Sequence, residues 1–164
     1  RPSSVATRMS AAGDGVSRYG PATGAERFGL WGSPPPPTLA PVNPTVLGRE
    51  LNDAGIKWRV LVISACYSGG FIEPLKDDNT LIITAAAANR QSFGCASGND
   101  WTYFGEAYFR EALMQAKSFM GAFPIAARAV AQREAAEKLS PPSEPQMFVG
   151  RAIAAKLGEL AATP

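Results

Sequence analysis

Trp58-Arg59-Val60-Leu61-Val62-Ile63-Ser64-Ala65-Cys66-Tyr67-Ser68-Gly69-Gly70 is the stretch on which the fold turns. Val60 to Ile63 is a short apolar, β-branched run of the kind that forms one strand buried on both faces. The hydrophobicity then stops, and a thiol follows with small residues behind it. In open parallel α/β sheets, ligands and chemistry gather just beyond the carboxyl ends of the strands. Cys66 therefore stands where a nucleophile would stand, although a small buried hydrophobe at a strand end is the other reading of the same residue.

On the N-terminal side, Thr45 to Ala54 reads as a helix with Val46, Leu47 and Leu51 in one stripe and Gly55 as its stop. Lys57 to Ala65 is the strand itself. On the C-terminal side, Phe71, Ile72 and Leu75 suit a short helical crossover to a parallel neighbour. That neighbour is Thr80 to Ala86, with Leu81-Ile82-Ile83 at its centre. Two buried strands joined in this way argue α/β rather than α+β. Asn89 to Thr102 is a polar loop rich in turn formers. From Glu106 the spacing turns helical, and Phe109, Ala112, Leu113, Ala116, Phe119 and Met120 make a packing face. A second helix is expected from Phe123 to Lys138 with Pro124 in its first turn. Ser140 to Pro145 ends it, Gln146 to Val149 suits an edge strand, and Arg151 to Leu160 a last helix with Ile153, Leu157 and Leu160 inward.

Residues 1–44 differ from the rest. Gly, Pro, Ser, Ala and Arg dominate, Pro34 to Pro37 are consecutive, and no apolar period persists. Such a composition buries too little surface to offset ordering, so this segment is expected to be coil or disorder. The expected division is a low-complexity or corrupted segment over 1–44 and a folded domain over 45–164.

The chain of 164 residues is 46% hydrophobic and 18% charged, enough for one domain with a real core. A net charge of +2 with no basic run gives nucleic acid no footprint. No apolar run approaches the roughly 18 residues of a membrane span, and no signal-peptide pattern is visible. The chain opens on Arg1-Pro2, so compartment stays open, as does oligomeric state. Two cysteines, Cys66 and Cys95, can in principle pair. They are too few for a disulfide framework, and without CxxC spacing or any histidine they do not read as a metal site. No cofactor is expected.

Four short motifs add a resemblance. Ser64-Ala65-Cys66-Tyr67-Ser68-Gly69-Gly70-Phe71, Thr84-Ala85-Ala86, Ser92-Phe93-Gly94-Cys95 and Tyr103-Phe104-Gly105-Glu106 together resemble the legumain-type cysteine peptidases (peptidase family C13), especially bacterial members, from roughly Thr45 to about residue 150. The resemblance implies a caspase-like three-layer α/β domain with a mainly parallel sheet, incomplete toward its N-terminus here. It implies a cysteine endopeptidase acting on peptide or protein substrates, with Cys66 as nucleophile. Ser64, Ser92 and Glu106 then match substrate-binding positions, and Glu106 the acidic member of a pocket that in legumains prefers asparagine. Ser64 stands where eukaryotic legumains carry Glu, so half of that pocket is kept. Read without the resemblance, Glu106 is an acid in the first turn of a helix and Ser92 an ordinary loop residue. Cys95 matches a structural cysteine of the family.

The family works with a Cys–His dyad, its His in a His-Gly pair at the end of the preceding strand. This chain has no histidine. Thr23-Gly24 and Asp14-Gly15 are the nearest local counterparts, and neither Thr nor Asp can act as base and then protonate a leaving amine. Two functions follow: a legumain-like peptidase inactive as written, its histidine lost by truncation or frame error, or a catalytically dead relative that binds peptides. Other thiol chemistries fit less well. Ile72 stands where a tyrosine-phosphatase loop needs its Arg, and Ser64 and Ser68 stand where a hydrolase elbow prefers Gly.

Overall fold

The computed structural model describes residues 6–9, 42–95 and 98–161. Four strands form one mixed sheet in the order β1-β2-β3-β4. They are β1 (Ala6–Met9), β2 (Arg59–Ile63), β3 (Thr80–Thr84) and β4 (Gln146–Val149). The β1–β2 and β2–β3 pairings are parallel, while β4 runs antiparallel on β3. The register sets Leu61 beside Ile82 and Val62 beside Ile83, so adjacent strands present matching apolar side chains to each face.

The two faces bury different clusters. Leu61, Ile63, Ala65 and Ile82 point to one side, against Leu75 and the partly buried Leu47, Leu51, Phe71 and Ile72. Val62, Leu81, Ile83 and Ala85 point to the other, against Phe104, Tyr108, Ala112, Val130 and Ile153. Leu81, Ile82 and Ile83 are fully buried. At roughly 1.5–3 kcal/mol per such side chain, β3 is the best-anchored strand.

Helix α1 (Pro44–Asp53) is capped by Asn43, whose Oδ1 accepts from the Thr45 and Val46 amides, and it ends before Gly55 at positive φ. Leu47 and Leu51 face the core as expected, but Val46 is exposed. A 3-10 turn (Ser68–Phe71) and α2 (Ile72–Leu75) make the crossover from β2 to β3.

The long C-terminal helical region departs from a simple stripe. Helix α3 (Tyr103–Gly105) runs into a π-helical stretch (Glu106–Ala112) and then α4 (Leu113–Ala116). Lys117 takes a left-handed φ of 53° and breaks the chain direction. Ser118 then caps α5 (Phe119–Ala136), its hydroxyl accepting from the Gly121 amide. Thus α5 starts ahead of Phe123, and Pro124 lies inside the helix rather than in its first turn. The cap decides this start. The six residues of the expected stripe do pack on the core, but they are divided among three elements. The deepest aromatics are Phe104 and Tyr108, stacked with ring centres 5.6 Å apart. Tyr108 donates its hydroxyl to the Phe119 carbonyl at 2.9 Å, and burial pushes its phenol pKa well up. Helix α6 (Arg151–Ala161) buries Ile153 and half-buries Leu157, whereas Leu160 is exposed.

Strand β1 lies inside the segment expected as coil. Its backbone pairs along β2, whose edge amides and carbonyls would otherwise lack partners. The rest of 1–41, including Thr23-Gly24 and Asp14-Gly15, lies outside the described residues. Among those described, no helix is long and apolar enough to cross a membrane, and no group of three metal-ligating side chains occurs.

Candidate active site

Cys66 sits just past the carboxyl end of β2, half-buried and with a free thiol. The chain turns sharply behind it. Tyr67 adopts a left-handed φ of 58°, a conformation a bulky side chain holds only when its surroundings impose it. Those surroundings are the residues after β3. The Tyr67 amide donates to the Arg90 carbonyl at 2.7 Å and the Gly69 amide to the Ala86 carbonyl at 2.8 Å. The buried Ser68 hydroxyl accepts from the Ala86 amide at 3.1 Å. A Cβ on Gly69 would come within 2.8 Å or less of Ala88 N, Ala87 C and Gln146 Oε1, so only glycine lets the two segments meet.

The thiol completes this suture. Cys66 Sγ accepts from the Ser92 amide at 3.3 Å and donates to the Ser92 carbonyl at 3.4 Å, with the Ser92 hydroxyl at 3.8 Å. As a thiolate it would keep only the amide and hydroxyl as donors. On the far side of Ser92, its hydroxyl lies 4.0 Å from Cys95 Sγ. Desolvation raises the Cys95 thiol pKa, the Ser92 hydroxyl opposes that rise, and Cys66 adds to it. The Cys66 amide stands beside the sulfur, at the start of the turn that the Tyr67 and Gly69 amides fix.

Ser64 is buried, and its hydroxyl meets Thr102 Oγ1 at 2.7 Å. Thr102 in turn caps α3, accepting from the Gly105 amide at 3.0 Å. Ser64 thus joins the end of β2 to the Tyr103–Glu106 motif. The Glu106 carboxylate itself turns elsewhere. Its two oxygens pair with Arg110 at 3.4 Å and Arg133 at 3.1 Å. Arg133 also pairs with Glu137 at 3.1 Å and lies 3.6 Å over the Tyr103 ring, while the Tyr103 hydroxyl donates to Glu137 at 2.6 Å. This cluster borders a small cavity of about 80 Å³, lined in part by Glu111 and Val130, with none of Ser64, Cys66 and Ser92 on its wall. The structure thus brings Cys66 and Ser92 together, links Ser64 to the same edge, and engages Glu106 in ion pairs. Sequence reasoning missed Arg133, Thr102 and the Ser68 clamp. Thr102 stands one residue before a motif quoted from the sequence; Arg133, on another helix, left no local signal.

A cysteine thus stands at a strand end, held by the loop that follows the next parallel strand. The family model of the peptidase C13 family matches residues 9–153. The chain belongs to the peptidase C13 family. Membership makes it a legumain-like member of a cysteine peptidase family, whose substrates are peptides or proteins, and implies a caspase-like fold. The match begins well ahead of Thr45, so it takes in much of the segment before α1. Comparison with curated proteins gave no match.

Proposed function

We propose that this C13 domain is a cysteine endopeptidase scaffold with Cys66 as its nucleophile, nearly silent toward peptide bonds as written. The observation that carries the reading is the Cys66 sulfur at the end of a parallel strand, fixed by both backbone groups of Ser92. Its backbone amide is one half of an oxyanion hole. Ser64 and Ser92 border the substrate cleft, and Glu106 paired with Arg133 supplies a pocket carrying both charges. Side chains from helices packed on both sheet faces support a three-layer, mainly parallel arrangement. Residues 45–164 carry this site, with β1 paired along β2 ahead of them.

What is absent from the sequence is an imidazole. Attack by the thiolate needs a base, and departure of the amine needs an acid. Losing one member of such a pair costs several orders of magnitude, with a residue from the oxyanion hole and binding. The test is hydrolysis of asparagine-containing peptides with and without free imidazole in solution. The reading expects a barely measurable rate that imidazole raises and that Cys66→Ala abolishes. A rate indifferent to Cys66→Ala would sink it. The missing histidine also favours a second reading, a peptide-binding module that turns nothing over. Peptide affinity retained by Cys66→Ala, with no imidazole-dependent turnover in the parent chain, would select that reading.

A further inference from the structure

The Ser92 hydroxyl lies between two free thiols, Cys66 at 3.8 Å and Cys95 at 4.0 Å. No third metal-ligating side chain joins them among the described residues, so the pair does not make a tetrahedral metal centre. Cys66 is half-buried and Cys95 exposed, so an oxidant from solvent reaches the pair. Cys95 follows Gly94, at a φ of 84°, in a loop without helix or strand. Sulfur exchange also asks less of the site than peptide hydrolysis. Its leaving group needs no imidazole to protonate an amine.

We propose that Cys66 and Cys95 form a redox-active dithiol, closing to an intramolecular disulfide when hydrogen peroxide oxidises Cys66 and reopening with a dithiol reductant. In the first step the Cys66 thiolate attacks one peroxide oxygen. The O–O bond breaks, Cys66 becomes the sulfenic acid, and the other oxygen leaves as water after protonation. In the second step the Cys95 sulfur attacks Cys66 Sγ and breaks its S–OH bond. The departing hydroxide takes the Cys95 proton as a second water. Two thiols and one peroxide thus give one disulfide and two waters. Closure removes the Cys66–Ser92 hydrogen bonds from the thiol and withdraws Cys66 from any other chemistry. Because desolvation by burial raises the Cys95 thiol pKa, the second step quickens as pH rises. This inference goes beyond the peptidase reading and stands or falls separately from it.

The test treats the reduced full chain with one equivalent of hydrogen peroxide, blocks remaining thiols with N-ethylmaleimide, and maps the digest by mass spectrometry. The expected product is monomeric, about 2 Da lighter by loss of two hydrogens, with the Cys66 peptide linked to the Cys95 peptide and released by dithiothreitol. Closure in the folded chain should run roughly tenfold or more faster than in the guanidinium-unfolded chain, because folding raises the effective concentration of the thiols. Cys95→Ser should abolish the link and leave Cys66 as the sulfenic acid, trapped by dimedone. Cys66 trapped as its dimedone adduct in the parent chain, with Cys95 still blocked by maleimide, would overturn the proposal. So would links found only between two copies, or equal closure rates folded and unfolded.

Discussion

The turn at Cys66 and the charged cluster at Glu106 are both reached from Ser64, yet they are built on opposite principles. Around Cys66 the holding groups are backbone amides and carbonyls, a buried hydroxyl and one glycine, arranged so that two loops touch without side-chain charge. Around Glu106 the holding groups are two arginines and two carboxylates, half-exposed and joined through long side chains. The first leaves almost no freedom, since each backbone bond fixes φ and ψ as well as distance. The second can be re-paired by rotamer changes at small cost, because partly solvated ion pairs contribute little. On the proposed reading, Cys66 as nucleophile needs the former, and a pocket at Glu106 tolerates the latter.

Substitutions that strike each region separately can break this contrast. Gly69→Val should be the most damaging, since its Cβ has no room against Ala87 and Ala88. A loss of about 2–3 kcal/mol, or failure to fold, is expected from overpacking against backbone, read by urea unfolding. Ser68→Ala leaves the buried Ala86 amide without its acceptor and should cost about 1–3 kcal/mol in the same assay. Glu106→Gln and Arg133→Gln should each move stability by under about 1 kcal/mol. Equal effects from Ser68→Ala and Arg133→Gln would erase the distinction.

The smallest effect is a pH dependence. The Tyr103 hydroxyl donates to Glu137 and, with Arg133 beside it, holds that carboxyl below its ordinary range. Its stabilising contribution is therefore present above the unfolded carboxylate pKa of about 4.3 and fades as pH falls through the lower folded value. The melting temperature of the parent chain should drop more steeply than that of Glu137→Gln as the pH is lowered below that point. Parallel curves would show that the cluster is not held by charge.

Much of the sheet was legible because buried strands leave a local record. Val60 to Ile63 and Leu81 to Ile83 are apolar runs that no exposed segment would carry, and the residues between them are too few for anything but a short crossover. The stop at Gly55 was equally local, whereas the cap at Asn43, just ahead of the expected helix, went unread. What escaped depends on partners far along the chain. The Cys66–Ser92 bonds span twenty-six residues, and nothing near Ser92 announces that its amide will face a sulfur. Arg133 reaches Glu106 across twenty-seven. The start of α5 was missed for another reason: the apolar stripe runs unbroken through Lys117, and only the left-handed turn there separates Ala116 from Phe119.

The π-helical stretch from Glu106 to Ala112 has a consequence for inheritance. Bonding to the fifth residue rather than the fourth accommodates one residue more than a regular helix over the same hydrogen-bonded turn. An ancestral insertion can be stored there as a bulge, while Phe104 before it and Ala112 at its end keep their places against the sheet. The same stretch is then a place where a relative one residue shorter would still thread onto this fold, its helix regular and its acid at the Glu106 position swung to a new bearing. A change of length at that turn offers a way to re-aim the acid at Glu106 without disturbing the strand that leads to Cys66.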